Sequence, residues 1–520
     1  MLENLTSQPQ KEWDVLVIGG GATGLGAAVD AATRGFNTLL VEQADFAKGT
    51  SSRSTKLVHG GVRYLAQGDV SLVFEALHER GLLMQNAPHL VRNQAFIIPA
   101  YEWWEGPFYN IGMKVYDLMA GKLGFGPSQK ISKEETLKAI PNLTQKGLLG
   151  GVIYYDGQFD DARLAVNLAQ TAVENGATVL NYMKVIGLHK DARGILDGAL
   201  LLDLETNREI AVKARVIINA TGVFSDSVRK LDDPSAPNTV VPSQGVHLIL
   251  EHSFLQGDSA IMIPHTPDGR VLFAVPWHNK VIVGTTDTPL REISLEPRPL
   301  PEEIDFLLNT SAQYLKKDPR PEDVLSVFAG LRPLAAPAGS AEQTKDISRR
   351  HQITVSLSGL VTVTGGKWTT YRKMAEETID KAIIVGGLEE KDCVTKHLPI
   401  HGYLKNTDFD QPLYYYGADK TILQETVFAE DQSLEEPLHA HLPYLKGEVI
   451  WAVRHEMART VEDFLARRTR ALFLDARASI EMAPAVARLM ADELGYSRKW
   501  IKQQVADYQA LAKGYLLTDQ

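Results

Sequence analysis

The stretch DVLVIGGGATGLGAAVDAATRGFNTLLVE, residues 14–42, contains the pattern that decides the fold. Its spacing predicts a buried strand over Val15–Ile18, a glycine turn, a helix of small residues and a second strand over Thr38–Val41. An acidic residue, Glu42, follows the second strand directly. This order of elements predicts a β-α-β unit, the building block of a Rossmann-like α/β fold.

Three glycines in the turn follow the spacing G-x-G-x-x-G. Gly19 suits a tight turn, Gly21 lets the backbone approach a pyrophosphate, and Gly24 lets the helix pack closely on the strand. The phosphates would accept hydrogen bonds from free N–H groups at the start of the helix, where the helix dipole favours anions. Glu42 is placed to accept hydrogen bonds from a ribose. We therefore expect a dinucleotide cofactor, and the glycines alone do not separate NAD from FAD.

The composition is that of a globular protein, with 44% apolar and 23% charged residues among 520. A net charge of −10 argues against a dedicated nucleic-acid binder, which is normally basic. The single cysteine, Cys393, permits no internal disulfide, and no metal site is expected. The N-terminal residues lack the apolar core of a signal peptide, and no run of about 18 apolar residues predicts a membrane span. A cytoplasmic protein is expected.

Periodicity and turn residues predict most of the remaining elements. Helices are predicted over residues 69–87, from Asp160 to Asn175, over residues 301–317 and over Thr369–Ile384. Strands are predicted at Thr178–Tyr182, Gly198–Leu204, Ile210–Asn219, Val246–Leu250, Val271–Pro276, Val281–Gly284 and Leu360–Thr364. Apolar residues at helical spacing from residue 446 onward predict a helical C-terminal domain over 391–520. Its Arg467, Arg468 and Arg470 are expected to form interdomain salt bridges rather than to bind substrate.

Three later segments favour FAD over NAD as the cofactor. Val216–Gly222 (VIINATG) is a strand whose end suits close passage past a dinucleotide, and Thr50–Lys56 (TSSRSTK) offers hydroxyl groups to phosphates or ring carbonyls. Gly359–Arg372 (GLVTVTGGKWTTYR) predicts a strand, paired glycines and a helix start, which could stabilise an anionic reduced flavin. No second glycine fingerprint predicts a nicotinamide site. We therefore interpret the chain as an enzyme with one flavin and an organic substrate, rather than as a reductase that binds two nucleotides.

Four cationic residues stand in loop-like motifs. They are Arg63 in HGGVRY, Arg332 in GLRP, Arg349 in ISRR and Lys367 in GGKW. Converging cations suit a phosphate dianion better than a simple amino acid, because charge-assisted hydrogen bonds contribute about 1.5–3 kcal/mol each. A structural salt bridge is the alternative for each of them and is favoured for Arg349. His247 lies in a strand, GVHLIL, where a histidine is more often a core residue than a catalyst.

The motifs HGGVRYL, GLRPL and GGKWTTYRKMAE together resemble those of the FAD-dependent, respiratory-type glycerol-3-phosphate dehydrogenases. The resemblance extends over nearly the whole chain. It implies an α/β plus α+β fold: a Rossmann-like FAD-binding domain, an antiparallel substrate domain like that of D-amino-acid and glycine oxidases, and an all-helical C-terminal domain. The first two domains are expected to interleave within residues 1–390. The FAD-binding domain would take mainly 12–75, 160–230 and 355–390, and the substrate domain mainly 76–159 and 231–354.

The resemblance also implies roles for individual residues. Arg63, Tyr64 and Arg349 would bind the phosphorylated substrate, while His247, Arg332 and Lys367 would be catalytic, with His247 near the reacting hydroxyl as candidate base. The residues expected to contact FAD are Gly19, Gly21, Ala22, Thr23, Gly24, Glu42, Thr50, Ser51, Ser52, Ser54, Lys56, Gly60, Gly61, Ala220, Thr221, Gly222, Gly366, Lys367, Trp368 and Thr369.

The implied reaction is oxidation of sn-glycerol 3-phosphate to dihydroxyacetone phosphate by hydride transfer to FAD, with a quinone as the next electron acceptor. One alternative is a glycerol-3-phosphate oxidase that uses oxygen. The related oxidases carry an extra segment in their later half, and this chain is too compact to contain it, so a dehydrogenase is favoured. Another is a catalytically silent flavin-binding regulatory protein. Homodimer formation stays open.

The aromatic-rich segment Tyr101–Phe125 allows two interpretations. With Trp103, Trp104, Phe108 and Tyr109 close together, it suits an interfacial contact of a peripheral protein with the inner face of the cytoplasmic membrane. It also suits a pair of helices that pack on the core.

Overall fold

The computed structural model describes residues 11–62, 69–264, 266, 271–335 and 350–517. The predicted substrate-binding residues Arg63, Tyr64 and Arg349 lie outside these ranges. Within the described ranges, no helix combines the length and the apolar character that crossing a membrane requires.

Strands and helices alternate over the first part of the chain, and helices dominate its end. The strands are β1 (Glu12–Ile18), β2 (Thr38–Val41), β3 (Leu57–Val58), β4 (Val91–Ala100), β5 (Gln129–Ser132), β6 (Gly150–Phe159), β7 (Thr178–Leu180), β8 (Met183–Lys190), β9 (Leu196–Asp203), β10 (Arg208–Asn219), β11 (Val240–Glu251), β12 (Ala260–Ile263), β13 (Leu272–Trp277), β14 (Lys280–Gly284), β15 (Thr288–Pro289), β16 (Ser326–Ala335), β17 (Gln352–Val355), β18 (Leu360–Thr364), β19 (Pro437–His439) and β20 (Leu442–Leu445). The α-helices are α1 (Ala22–Thr33), α2 (Val70–Asn86), α3 (Glu105–Ala120), α4 (Lys133–Ala139), α5 (Asp161–Glu174), α6 (Ser225–Asp232), α7 (Pro301–Tyr314), α8 (Tyr371–Gly386), α9 (Asp419–Leu423), α10 (Lys446–His455), α11 (Ala471–Leu474), α12 (Ala476–Leu494) and α13 (Arg498–Lys513).

The first sheet has the strand order β17-β18-β10-β1-β2-β7, and β9 and β8 extend it beside β10. Strands β18, β10, β1, β2 and β7 are parallel, so their carboxyl ends meet at one edge. The glycine turn, Ala220–Gly222 and the paired glycines Gly365 and Gly366 each follow one of these strands. Ligands of open α/β sheets bind at this edge, and the sequence motifs meet there.

The second sheet is mainly antiparallel, in the order β15-β11-β14-β13-β12-β4-β6-β3, with β16 beside β11 and β5 beside β6. The long pairing of β11 with β16 places His247 opposite Phe328 and Ser243 opposite Arg332. This sheet therefore carries two of the predicted catalytic residues on neighbouring strands. The comparisons below confirm the expected mixed fold class.

Within residues 391–517, the helices are accompanied by one short hairpin, β19–β20, which corrects the expectation of an all-helical domain. Its sequence alternates buried and exposed residues, with Leu442 and Tyr444 buried and Pro443 exposed, and that period suits a strand. The predicted salt bridges of the three arginines are confirmed. Arg467 and Arg468 both bind Asp45, and Arg470 binds Asp160.

Of the strands that were not predicted, the longest are β4, β6, β8 and β16. Strands β4 and β6 are buried over most of their length, so they lack the alternation that marks a half-exposed strand. Strand β16 contains Gly330 and Pro333, which normally argue against a strand interior.

Candidate cofactor and substrate site

A cavity of about 800 Å³ opens where the two sheets meet, lined by residues of both. Its volume falls within the range of about 300–1,000 Å³ that is usual for small-molecule sites. The residues that follow β1, β10 and β18 contribute to its wall, as do His247 of β11 and Arg332 of β16. One chamber thus combines the dinucleotide motif with the predicted catalytic residues.

The glycine turn leaves no space for side chains. Gly19 has a φ of +114°, and a Cβ atom there would lie 2.6 Å from the carbonyl oxygen of Ala220. A Cβ atom at Gly24 would lie 1.9 Å from the carbonyl oxygen of Gly19. Backbone therefore packs on backbone between the turn, β10 and α1, which is the geometry that a dinucleotide fingerprint requires. The residues of the turn therefore fit a dinucleotide such as FAD.

Glu42 holds the turn from the end of β2. Its carboxylate accepts hydrogen bonds from the backbone N–H groups of Gly20, at 2.6 Å, and Ala44, at 2.9 Å. Burial raises the pKa of Glu42, while these two N–H groups act to lower it. Glu42 also lines the cavity, where its position suits the predicted contact with a ribose.

The hydroxyl-rich segment Thr50–Lys56 connects three parts of the cavity wall. Ser51 Oγ accepts a hydrogen bond from the N–H of Ala22 at 2.9 Å, at the start of α1. The carbonyl oxygen of Ser51 accepts one from Trp368 Nε1 at 2.8 Å. Thr50 Oγ1 donates to the carbonyl oxygen of Leu331 in β16. These bonds fix the glycine turn, the GGKW turn and the second sheet relative to one another.

Arg332 is held over the cavity by neighbours from the loop between β14 and β15. Its Nη2 donates to Thr285 Oγ1 at 3.0 Å, and its Nη1 lies 3.9 Å from Asp287 Oδ1. A Cβ atom at Gly245 would lie 2.2 Å from Nη2, so a side chain at this position would displace the guanidinium group. Lys367 lines the same cavity from the turn after β18. Two cations therefore face one chamber.

His247 is buried on β11 and also lines the cavity. Its Nε2 lies 2.8 Å from Thr55 Oγ1, and its ring stacks on that of Phe328 with centroids 4.9 Å apart. Burial lowers the pKa of His247 well below its ordinary value, and the positive charges of Lys56 and Arg332 lower it further. The imidazole is therefore neutral at physiological pH and able to accept a proton.

Most of the described residues that were predicted to contact FAD line the cavity, and five do not: Gly24, Ser52, Lys56, Gly60 and Gly61. Gly24 acts through the packing of α1. Lys56 points away, because its Nζ donates to Asp161 at 2.7 Å and to the carbonyl oxygen of Ser52 at 2.6 Å. The N–H of Gly60 donates to the hydroxyl group of Tyr116 at 2.8 Å. Ser52, Lys56 and Gly60 therefore make contacts behind the cavity wall rather than in it.

Sequence reasoning missed several residues of the wall, among them Thr55, Lys48 and Arg53. Thr55 contacts His247, although only its neighbours in Thr50–Lys56 were predicted as site residues. Lys48 and Arg53 line the cavity and form salt bridges with Glu296. The hydroxyl groups of Thr50–Lys56 indicated that this segment belongs to the site. The local sequence does not show which of its side chains face the cavity.

Comparison with known proteins shows which family has this sequence and fold. A family model described as FAD dependent oxidoreductase matches residues 14–372, and one described as C-terminal domain of alpha-glycerophosphate oxidase matches residues 360–501. The mitochondrial glycerol-3-phosphate dehydrogenase of Mesocricetus auratus is 42% identical over 95% of this chain and 72% of its own length. The chain belongs to the FAD-dependent glycerol-3-phosphate dehydrogenase family. The mitochondrial enzyme of Schizosaccharomyces pombe is 39% identical over 96% of this chain and 87% of its own length.

Solved structures agree with this membership. The crystal structure of the glycerol-3-phosphate dehydrogenase from Bacillus halodurans complexed with FAD superposes with a TM-score of 0.80 at 30% identity, and covers 98% of this chain and 97% of that one. Glycine oxidase from Geobacillus kaustophilus has a TM-score of 0.54 at 20% identity over 75% of this chain and 98% of that one, which shows the shared fold alone. The predicted family, fold class and FAD cofactor are confirmed.

Proposed function

We propose that this chain oxidises sn-glycerol 3-phosphate to dihydroxyacetone phosphate and passes the electrons to a quinone. One observation carries the proposal: His247, Arg332 and Lys367 share a cavity with the glycine turn and Glu42. Bound FAD supplies the hydride acceptor in this chemistry. The residues of the chain bind the substrate, orient it and move its proton.

His247 acts as the base. An alcohol ionises far above neutral pH, so its proton must leave as the hydride departs, and a neutral imidazole can take it. Arg332 and Lys367 stabilise the negative charge that develops on the alcohol oxygen, an effect typically worth a few kcal/mol. The hydrogen bond from Arg332 to Thr285 supports this assignment, because it sets the direction of the guanidinium group in advance.

The phosphate group is assigned to Arg63, Tyr64 and Arg349 on the family motifs, and these residues lie outside the described ranges. Binding a dianion through several donors orients the secondary alcohol for hydride transfer. We expect glycerol, which lacks the phosphate, to be a poor substrate for this reason.

Anaerobic reduction tests the reaction. The purified yellow protein, mixed with glycerol 3-phosphate without oxygen, should lose the visible absorbance of its oxidised flavin, and glycerol at the same concentration should not cause this loss. Absorbance that persists with glycerol 3-phosphate would refute the proposed substrate and favour a catalytically silent flavoprotein.

The electron acceptor distinguishes a dehydrogenase from an oxidase. The match of residues 360–501 to a glycerophosphate oxidase C-terminal domain makes oxygen the specific alternative. With a soluble quinone present, a dehydrogenase should reduce the quinone and form little peroxide. Stoichiometric peroxide formation in air would assign the chain as an oxidase.

Membrane association is proposed from helix α3. Its inner face, with Tyr109, Met113 and Tyr116, packs on the core, while its outer face and the turn before it expose large apolar residues. The exposed set is Trp103, Trp104, Phe108, Ile111, Val115 and Leu118. Such a face suits insertion into the headgroup region of a bilayer, close to a quinone pool. We propose a cytoplasmic protein bound peripherally to the inner face of the membrane.

A further inference from the structure

Lys56 carries a buried ammonium group that the proposed mechanism does not use. Its side chain is 0% exposed, and its Nζ pairs with Asp161 Oδ2 at 2.7 Å. Three aromatic rings surround the ammonium group at 5.2–5.3 Å from their centroids: those of Trp277, Phe328 and Phe473. Burial lowers the pKa of Lys56, whereas the carboxylate of Asp161 acts to raise it. Aromatic faces also stabilise a cation, so the cage and the carboxylate both favour the charged form against the effect of burial.

The cage is shared with the candidate base. The ring of Phe328 contacts the ammonium group of Lys56 and also stacks on the imidazole of His247 at an interplanar angle of 17°. Thr55, the residue before Lys56, binds Nε2 of the same imidazole. One short segment of chain thus fixes both the position of the ring and a positive charge behind it.

We propose that Lys56 is a positioning residue for the reaction, whose caged positive charge keeps the His247 imidazole uncharged and ready to accept the hydroxyl proton. The inference rests on the proposed role of His247 as base. A buried cation disfavours a second positive charge nearby, because the low-dielectric interior screens their repulsion weakly. The other charged groups around the pair are Arg332, which faces His247, and Asp160, Asp161 and Arg470, which surround Lys56.

The pH dependence of kcat/KM on its acid side tests the proposal in the FAD-loaded enzyme. Lys56→Met should move the acid limb to higher pH by about one unit or more, so that activity on this limb falls about tenfold. Lys56→Arg keeps the charge and should restore the wild-type limb. Lys280→Met is the matched control, because Lys280 is buried in the same sheet and pairs with Glu251 at 2.9 Å. It should leave the limb in place.

Two further measurements separate the failure of this inference from that of the proposed base. If His247→Asn keeps the wild-type acid limb, His247 is not the base and the proposed function is wrong on that point. If His247→Asn removes the limb while Lys56→Met and Lys56→Met/Asp161→Asn leave it unmoved, the inference is overturned. The double variant is included because Lys56→Met alone leaves the Asp161 carboxylate buried without its ion-pair partner and could fold poorly.

The wild-type protein provides a readout without turnover. In ¹⁵N-histidine-labelled protein, the imidazole signal that His247→Asn removes should be that of a neutral ring around the ordinary histidine pKa and should change only at the lower pH of the acid limb. Titration of that signal at an ordinary histidine pKa would overturn the inference even if no lysine variant could be purified.

Discussion

Arg468 donates two hydrogen bonds to the carboxylate of Asp45, at 2.7 and 2.8 Å. Both side chains are fully buried, and Arg467 Nε donates to the same carboxylate. Burial acts to raise the pKa of Asp45, but the two guanidinium groups outweigh it and hold the pKa below its usual value. Asp45 closely follows Glu42, so this pair ties the C-terminal helices to the loop that supports the cofactor.

Breaking this pair should destabilise the protein strongly. Arg468→Met leaves Asp45 buried with one partner fewer, and removing one member of a buried pair costs about 3–5 kcal/mol. Urea unfolding followed by tryptophan fluorescence measures the loss. Arg454→Met is the control, because Arg454 binds Glu430 and Glu493 at the partly exposed surface and should cost no more than about 1 kcal/mol. Equal losses in the two variants would contradict the prediction.

Gly24→Ala should abolish FAD binding. The added Cβ atom would lie 1.9 Å from the carbonyl oxygen of Gly19, so the glycine turn would have to open. The ratio of flavin to protein absorbance in the purified variant measures retention. Gly112→Ala adds the same atom in helix α3 with no neighbour within 4 Å, and it should retain FAD as the wild type does. A fully yellow Gly24→Ala protein would show that the turn has more space than described.

Arg332→Ala should lower kcat about 10²–10³-fold, because a donor to the developing alkoxide is lost. Arg332 lies on β16 of the second sheet rather than in the glycine turn, so the variant should remain yellow. Steady-state turnover together with flavin content checks both expectations. Arg291→Ala, at an exposed position, should turn over normally. Near-normal turnover of Arg332→Ala would remove Arg332 from the catalytic residues.

Charges on the outer face of α3 should weaken membrane binding. Ile111 and Leu118 are 67% and 81% exposed, so Ile111→Glu/Leu118→Glu should not disturb the core while placing two charges where lipid contact is proposed. Flotation with liposomes at low salt measures the bound fraction, which should fall severalfold. Leu357→Glu, at a fully exposed leucine elsewhere, is the matched control. Unchanged flotation of the double variant would argue against α3 as the contact.

The stability of the C-terminal region should depend on pH through Glu448. Burial raises the pKa of Glu448 to about 7, although the hydroxyl groups of Tyr415 and Tyr416 donate to it. The folded state thus binds this proton more tightly than the unfolded chain, so the stabilisation is fully present below about pH 4.5 and is lost as the pH rises through 7.

Glu448→Gln tests this dependence, because an amide does not titrate. The free energy of unfolding should depend less on pH in this variant between pH 4.5 and 7, the interval between the ordinary and the raised pKa. Urea unfolding at several pH values measures the slope. Glu425→Gln, at an exposed position, should keep the wild-type slope. Parallel slopes for wild type and Glu448→Gln would contradict the assignment.

Local spacing predicted the parts of the site that depend on backbone. The roles of Gly19 and Gly24 follow from a turn in which atoms a few residues apart must pack, and that constraint is visible in the sequence. The meeting of β1, β10 and β18 at one edge follows from parallel pairing. Family motifs predicted Arg332 and Lys367, which do share the cavity.

The direction of side chains in loops could not be predicted. Ser51 and Lys56 stand in the same hydroxyl-rich segment, yet Ser51 faces the cavity and Lys56 turns to Asp161 behind it. That choice depends on a carboxylate 105 positions away in the chain and on an aromatic cage from three further elements. The strands β4 and β6 were missed for a related reason, because burial on both faces is set by tertiary packing.

The buried bonds from Arg468 to Asp45 and from Arg470 to Asp160 restrict how this protein can be engineered. A shortened protein that ended before the C-terminal helices would leave Asp45 and Asp160 without these arginine partners. Grafting the same helices onto a smaller oxidase would likewise require an acidic residue at each corresponding place. The helical region is therefore not an exchangeable module.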